Sequence, residues 1–143
     1  MGRVAAIDPG ERRVGLAVSD ELQLVARALP YIVASDEAGT ARRISDVLGE
    51  FEIDVVLVGR PVHLDGSESQ GTRKAEALCQ ELRKLGFCVK LVDERLSTVE
   101  ATRQLRQLGI DSRAQREKVD SFSAAILLQA YLNFSRDRSR DCC

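Results

Sequence analysis

The sequence predicts an α/β fold with one five-stranded mixed sheet flanked by helices. Three apolar, strand-like runs joined by short connections open the chain, at residues 3–8, 14–18 and 22–34. Two further strand patterns follow at residues 53–58 and 87–92, each preceded by a helical pattern. Short connections favour an antiparallel meander, whereas strand–helix–strand crossovers give parallel pairing with a right-handed connection. The predicted order is therefore βββαβαβαα, with three antiparallel and two parallel strands.

Four helices are predicted from apolar spacing and capping signals. The first covers residues 37–51, and the second covers residues 68–85 and ends at Gly86. Ser97 and Glu100 form a capping box for the third helix, which reaches Leu108. The fourth, at residues 119–134, is apolar on nearly every side, which predicts a buried helix. We expect one domain over residues 1–135 and a disordered tail over residues 136–143.

Composition sets limits on the class of protein. A chain of 143 residues can form one domain with a proper core. Its net charge of -1 gives no global basic signal, so binding to a polyanion would require a local basic patch. The sequence has no bilayer-spanning apolar stretch and no apolar segment typical of a signal peptide. We therefore expect a cytoplasmic protein.

Three acidic residues occupy positions that suggest a metal site. Asp8 ends the first strand and Glu94 follows the fifth, so both are expected at the carboxyl edge of the sheet, where ligands usually bind. Asp120 stands at the start of the apolar fourth helix. Each also has an ordinary explanation: Asp8 in a turn, Glu94 paired with Arg95, and Asp120 as a helix-capping acid. Convergence of all three favours Mg²⁺ or Mn²⁺, and such ions can activate water and stabilise the leaving oxygen of a phosphodiester.

Basic residues lie close to these acids in the sequence and are candidates for contacts with nucleic-acid phosphates. Arg12 and Arg13 follow Asp8, and Arg60 lies in the polar loop predicted over residues 59–67, after the fourth strand. From Arg95 to Lys118 there are six Lys or Arg against three Asp or Glu. A solvated surface would explain the same charges. Since aromatic residues make up only 4% of the chain, recognition should depend on backbone phosphates and shape rather than on stacked bases.

Four segments together resemble the YqgF family, also called RuvX. They are Asp8 to Asp20, Val58 to Pro61 with Asp65 and Gly66, Val92 to Ala101, and Lys118 to Ala125. The resemblance spans residues 3–133 and implies a ribonuclease H-like fold, with catalytic and metal-binding roles for Asp8, Glu94 and Asp120. Family members have been described as Holliday junction resolvases and as pre-16S rRNA processing nucleases. The sequence departs from the family at Glu11 and at His63, which leaves the three acids unaffected.

The resemblance favours a metal-dependent nuclease that processes the ends of pre-16S rRNA, with ribosomal particles as possible partners. The first alternative is a Holliday junction resolvase, which would be expected to act as a dimer; the residues are compatible with a monomer or a homodimer. A non-catalytic nucleic-acid-binding module is a further alternative. A phosphate-binding ATPase is another alternative, because Asp8-Pro9-Gly10 resembles a phosphate loop, but that fold normally needs two such domains and this chain has one.

Overall fold

The computed structural model describes residues 2–60, 70–93, 99–107 and 121–138. One five-stranded sheet has the order β3-β2-β1-β4-β5. The elements are β1 (Arg3–Asp8), β2 (Arg13–Ser19), β3 (Ala26–Val33), α1 (Glu37–Leu48), β4 (Ile53–Arg60), α2 (Gln70–Lys84), β5 (Val89–Asp93), α3 (Val99–Gln107) and α4 (Phe122–Arg138). β2 pairs antiparallel with β1 and β3, and β4 pairs parallel with β1 and β5. The predicted order and mixed sheet are confirmed.

Two hydrophobic clusters cover the two sides of the sheet. The first core cluster joins Ala5 and Ile7 of β1 to residues of α1 and α2, such as Ile44 and Leu82. The second core cluster joins Val4 and Ala6 of β1 to α3 and α4 through Leu105 and Leu128. Alternate residues of one strand point to opposite sides of the sheet. The cluster to which a strand residue belongs therefore also shows which side the residues at the end of that strand face.

The third strand begins later than predicted. β3 starts at Ala26 rather than at Leu22, because the residues before it form a turn held by Asp20. A carboxylate oxygen of Asp20 accepts hydrogen bonds from the backbone N–H of Leu24 and Val25, at 2.7 and 3.1 Å. Burial raises the pKa of Asp20, but these hydrogen bonds outweigh it and hold the pKa below its usual value. A side chain that bonds to nearby backbone competes with strand pairing, which the apolar pattern did not reveal.

Two helices end more than one residue away from their predicted ends. α1 ends at Leu48, three residues early, and Gly49 is its C-cap. α4 continues to Arg138, four residues beyond the predicted end at Phe134. The predicted cap at Ser97 lies outside the described residues, as do residues 119 and 120 at the start of the fourth helix. No helix in the described part of the chain is both long and apolar enough to cross a membrane.

The fourth helix is packed tightly against the sheet, as its apolar sequence predicts. Ala124, Ala125 and Leu128 are fully buried in it. Gln129, which is 3% exposed, binds the start of β3: its Oε1 accepts from the backbone N–H of Ala26 at 2.9 Å, and its Nε2 donates to the carbonyl of Leu24 at 3.1 Å. Because its polar atoms are satisfied, this side chain can be buried without the cost of an unpaired group. It fixes the middle of α4 relative to the sheet.

Candidate active site

The carboxyl ends of three parallel strands meet at one edge of the sheet, which we call the active edge. In the pairing of β1 with β4, Ile7 is opposite Val58, and in the pairing of β4 with β5, Val58 is opposite Leu91. β1 ends one residue beyond Ile7, at Asp8, and β5 ends two residues beyond Leu91, at Asp93. The predicted alignment of these strand ends is therefore confirmed.

Asp8 is the last residue of β1 and is partly buried at the active edge. It is opposite Gly15 in the antiparallel pairing with β2. Ala6 belongs to the second core cluster, so strand alternation places the Asp8 side chain on the same side of the sheet, where α4 packs. The Asp8 side chain therefore faces the side on which the end of β1 and the start of α4 meet.

The turn after Asp8 requires glycine and brings two arginines to the same edge. A Cβ on Gly10 would lie 2.3 Å from the carbonyl oxygen of Arg13, so a larger residue would force the backbone to shift. Arg12 and Arg13 are both exposed. The guanidinium carbon of Arg13 lies 5.0 Å from the centroid of the Tyr31 ring, within the range of a cation–π contact. This compact turn therefore places two exposed arginines at the same edge of the sheet as Asp8, with Arg13 directed towards β3.

A buried hydrogen bond anchors the start of the fourth helix at this edge. The Oγ of Ser121, which is fully buried, accepts a hydrogen bond from the backbone N–H of Leu16 at 3.0 Å. The pairing of β2 with β3 shifts register between Val14 and Leu16, so the backbone there departs from the regular ladder. Leu16 directly follows Gly15, the partner of Asp8. Sequence reasoning did not assign this role to Ser121; a hydroxyl at the start of an otherwise apolar helix was the available signal.

Arg60 is the last residue of β4 and is partly buried. Its Nε is buried and has no hydrogen-bond partner, which holds for no other buried side-chain nitrogen or oxygen in the described ranges. A buried donor without a partner costs roughly 1–3 kcal/mol, so such groups are uncommon in folded proteins. The loop position predicted for Arg60 is wrong, because β4 continues to this residue, but Arg60 does lie at the active edge, as expected.

Four predicted site residues lie outside the described residues: Glu94, Arg95, Lys118 and Asp120. The structure therefore tests the placement of Asp8, Arg12, Arg13 and Arg60, and brings all four to the active edge. Within residues 2–60, 70–93, 99–107 and 121–138, no group of three or more His, Cys, Asp or Glu side chains could hold a metal ion. Since two of the three predicted acids are not in those ranges, the three-acid site stays a prediction.

A comparison with protein families shows the family to which this chain belongs. The family model RuvX, described as a Holliday junction resolvase, matches residues 2–134. The chain belongs to the RuvX family. A relative from Anaeromyxobacter sp. (strain K), named "Putative pre-16S rRNA nuclease", is 39% identical over 132 residues, covering 92% of this chain and 96% of the relative. A relative of the same name from Ruminiclostridium cellulolyticum is 33% identical over 133 residues, covering 92% and 94%.

Solved structures support the same fold for this RuvX family member. RuvC of T. thermophilus in complex with a Holliday junction substrate matches with a TM-score of 0.64 and 21% identity, covering 100% of both chains. The fowlpox virus Holliday junction resolvase matches with a TM-score of 0.54 and 10% identity, covering 96% of this chain and 99% of the other. The ribonuclease H-like fold is therefore confirmed. Membership of the RuvX family also confirms that the chain is a nuclease, a hydrolase of phosphodiester bonds.

Proposed function

We propose that Asp8, Glu94 and Asp120 bind one or two divalent metal ions and that this site hydrolyses phosphodiesters in the ends of pre-16S rRNA. The proposal depends on the hydrogen bond that anchors the start of α4 to β2. This bond is made next to Gly15, the residue that pairs with Asp8. The Ser121 Oγ lies 3.0 Å from the Leu16 nitrogen, and Leu16 adjoins Gly15, the partner of Asp8. A site formed from β1 and the start of α4 is thereby supported on the side of the sheet that Asp8 faces.

Chain connectivity supports the contribution of the other two acids. Consecutive Cα atoms are about 3.8 Å apart. Residue 120 is therefore tied by the chain to Ser121, which is anchored to β2, and residue 94 is tied to Asp93, the last residue of β5. Val92 packs against the second core cluster, so strand alternation predicts the same side for residue 94. All three carboxylates are then expected on the side that α4 covers.

The chemistry of this donor set suits hard divalent cations. Carboxylate oxygens are the preferred protein ligands of Mg²⁺ and Mn²⁺. When bound, such an ion supplies Lewis acidity that activates water and stabilises the leaving oxygen. Asp8 would fix its ligand oxygen from a rigid strand end, and the anchored start of α4 would fix that of Asp120. We propose that Arg12, Arg13, Arg60, Arg95 and Lys118 contact the phosphates of the substrate.

Precursor ribosomal RNA is the substrate that the relatives and the composition favour. The relatives from Anaeromyxobacter and Ruminiclostridium carry the name of a pre-16S rRNA nuclease. A net charge of -1 predicts weak non-specific binding to long duplex DNA, because that affinity grows with the number of phosphates neutralised. With few aromatic side chains, the protein alone has little surface on which unpaired bases could stack. We therefore propose that a ribosomal particle in the cytoplasm presents the RNA.

Cleavage of a four-way DNA junction is the second candidate function, which the description of the family favours. One preparation of the protein should be given precursor 16S rRNA, free and within a ribosomal particle, and a four-way DNA junction, each with Mg²⁺ or Mn²⁺. We expect cleavage near the ends of the RNA and little cleavage of the junction. Paired, symmetric nicks in the junction, without comparable cleavage of either form of the RNA, would show that the resolvase is the correct function.

Neutralising one of the three acids should stabilise the protein when no metal is bound. Asp120→Asn removes one of several like charges at the active edge, so the free energy of unfolding in EDTA should rise by about 1 kcal/mol, the scale of a like-charge pair in water. Mg²⁺ should raise the melting temperature of the wild type through linkage, and raise that of the variant less. Thermal unfolding with and without Mg²⁺ measures both effects. Equal metal-induced shifts in the two proteins would be evidence against a role for Asp120 in metal binding.

A further inference from the structure

We propose that Arg60 and Lys74 form a phosphate subsite on the α1–α2 side of the active edge. The subsite would hold a backbone phosphate of the substrate away from the phosphate that is cleaved. This inference rests on the proposed nuclease function and deepens it, because it assigns the course of the substrate backbone across the sheet edge.

Register and strand alternation place Arg60 on the opposite side of the sheet from Asp8. Val56 and Val58 of β4 belong to the first core cluster, so Arg60, two residues further, faces the same side as α1 and α2. Asp8 lies two residues after Ala6 of the second core cluster, so it faces the side on which α4 packs. The two side chains thus stand on neighbouring strand ends, one on each side of the sheet.

The state of the Arg60 guanidinium indicates that it binds an anion. Its Nε is buried and has no hydrogen-bond partner. An arginine donates N–H groups in a planar fork and accepts none, so the partner that satisfies Nε must be an acceptor. Phosphate oxygens match this fork and can accept two parallel hydrogen bonds from it. No described residue accepts a hydrogen bond from this Nε, so a substrate phosphate at the active edge could supply the acceptor once the Arg60 side chain turned to expose the atom.

Lys74 of α2 lies on the same side of the sheet and gives the subsite a second positive charge. It is exposed and lines a small cavity of about 60 Å³ together with Pro9 and Gly10. The register that pairs Ile7 with Val58, continued by two residues, brings Pro9 level with Arg60. The cavity wall also includes Glu11 and Glu37. Because these acids repel phosphate and Arg60 is not one of the lining residues, the anion should sit outside the cavity, between Lys74 and the end of β4.

A backbone held in this way would pass over the active edge from one side of the sheet to the other. The cleaved phosphate would lie beside Asp8 on the α4 side, and a neighbouring phosphate would lie between Arg60 and Lys74 on the α1–α2 side. The subsite would then contribute to binding and to the direction of the strand, since phosphate contacts position a nucleic acid without reading its sequence.

Binding of RNA without metal tests the subsite separately from cleavage. Fluorescence anisotropy in EDTA measures the Kd of a labelled single-stranded RNA of mixed sequence at several salt concentrations, for Arg60→Gln, Arg60→Met and Lys74→Gln. The matched control is Arg27→Gln, because Arg27 is also exposed but pairs with Val18, towards the opposite edge of the sheet. We expect each subsite change to raise Kd by about tenfold and to reduce the salt slope by about 0.7, and the control to do neither. A labelled four-way DNA junction shows whether the subsite also accepts the phosphates of DNA.

Thermal unfolding separates a phosphate ligand from a residue that only supports the fold. If the unpaired Nε is a binding group, Arg60→Met should melt at or above the temperature of the wild type while it binds RNA less tightly. A lower melting temperature for Arg60→Met with an unchanged Kd would overturn the proposal. So would subsite variants with the same Kd and salt slope as Arg27→Gln, or a wild type that does not bind the RNA. Loss of binding by the subsite variants in a protein that cleaves no substrate would instead keep the subsite and reject the proposed catalysis.

Discussion

Asp8→Asn should reduce the rate of phosphodiester cleavage by orders of magnitude while leaving the fold intact. The change keeps the size of the side chain but removes the charged oxygen at the end of β1 that we propose as a metal ligand, so a bound metal would activate water less effectively. Cleavage of the precursor RNA at saturating Mg²⁺ measures the loss, and far-UV circular dichroism checks the fold.

Asp46→Asn is the matched control for this change. Asp46 is exposed on α1 and lies outside the active edge, so its replacement should leave the rate close to that of the wild type. The pair also controls for contaminating nucleases, because a contaminant would cleave equally in both preparations. If Asp8→Asn cleaved as fast as Asp46→Asn, Asp8 could not be a catalytic metal ligand.

Ser121→Ala should lower both stability and cleavage. The change leaves the buried N–H of Leu16 without its acceptor, which should reduce the free energy of unfolding by about 1–3 kcal/mol. It also releases the start of α4 from β2, so the position that we propose for Asp120, beside Asp8, would be held less firmly. The rate should therefore fall most at low Mn²⁺ and recover in part at high Mn²⁺, an effect that destabilisation alone would not produce.

Ser123→Ala gives the comparison for that effect. Ser123 is the same residue type on the same helix, but it is exposed, so its replacement should change stability by no more than about 0.5 kcal/mol. Chemical denaturation and the dependence of rate on Mn²⁺ should be measured for both variants. A Ser121→Ala protein that was less stable but had the Mn²⁺ dependence of the wild type would limit Ser121 to a structural role.

Much of the fold could be predicted because the pattern of apolar residues indicates most of the strands and helices. The apolar run in β4 is short and β-branched, whereas that in α4 is long enough for a buried helix, so length and residue type distinguish the two elements, and the crossover rule then orders the strands. The start of β3 could not be predicted, since Leu22 and Leu24 continue the apolar pattern while the Asp20 side chain holds the backbone in a turn. A local hydrogen bond thus overrode the apolar pattern there.

The candidate site was predictable only where its residues sit at strand ends. Asp8 and Arg60 were found because a polar residue after a buried strand marks the edge of the sheet. The contact between Ser121 and Leu16 joins residues 105 positions apart and depends on a local shift in strand register, which a single sequence does not show. The unpaired Nε of Arg60 likewise depends on burial by the folded chain, so only the charge and the approximate position of Arg60 could be predicted.

Direct binding of Mn²⁺ is the measurement that tests the metal site most directly. Electron paramagnetic resonance should follow a Mn²⁺ titration of the wild type, Asp8→Asn, Glu94→Gln, Asp120→Asn and the Asp46→Asn control, with no substrate present. We predict one or two bound ions in the wild type and in Asp46→Asn, and much weaker binding in each of the other three variants. Equal Mn²⁺ binding by all five proteins, or none by the wild type, would contradict a metal site formed by Asp8, Glu94 and Asp120.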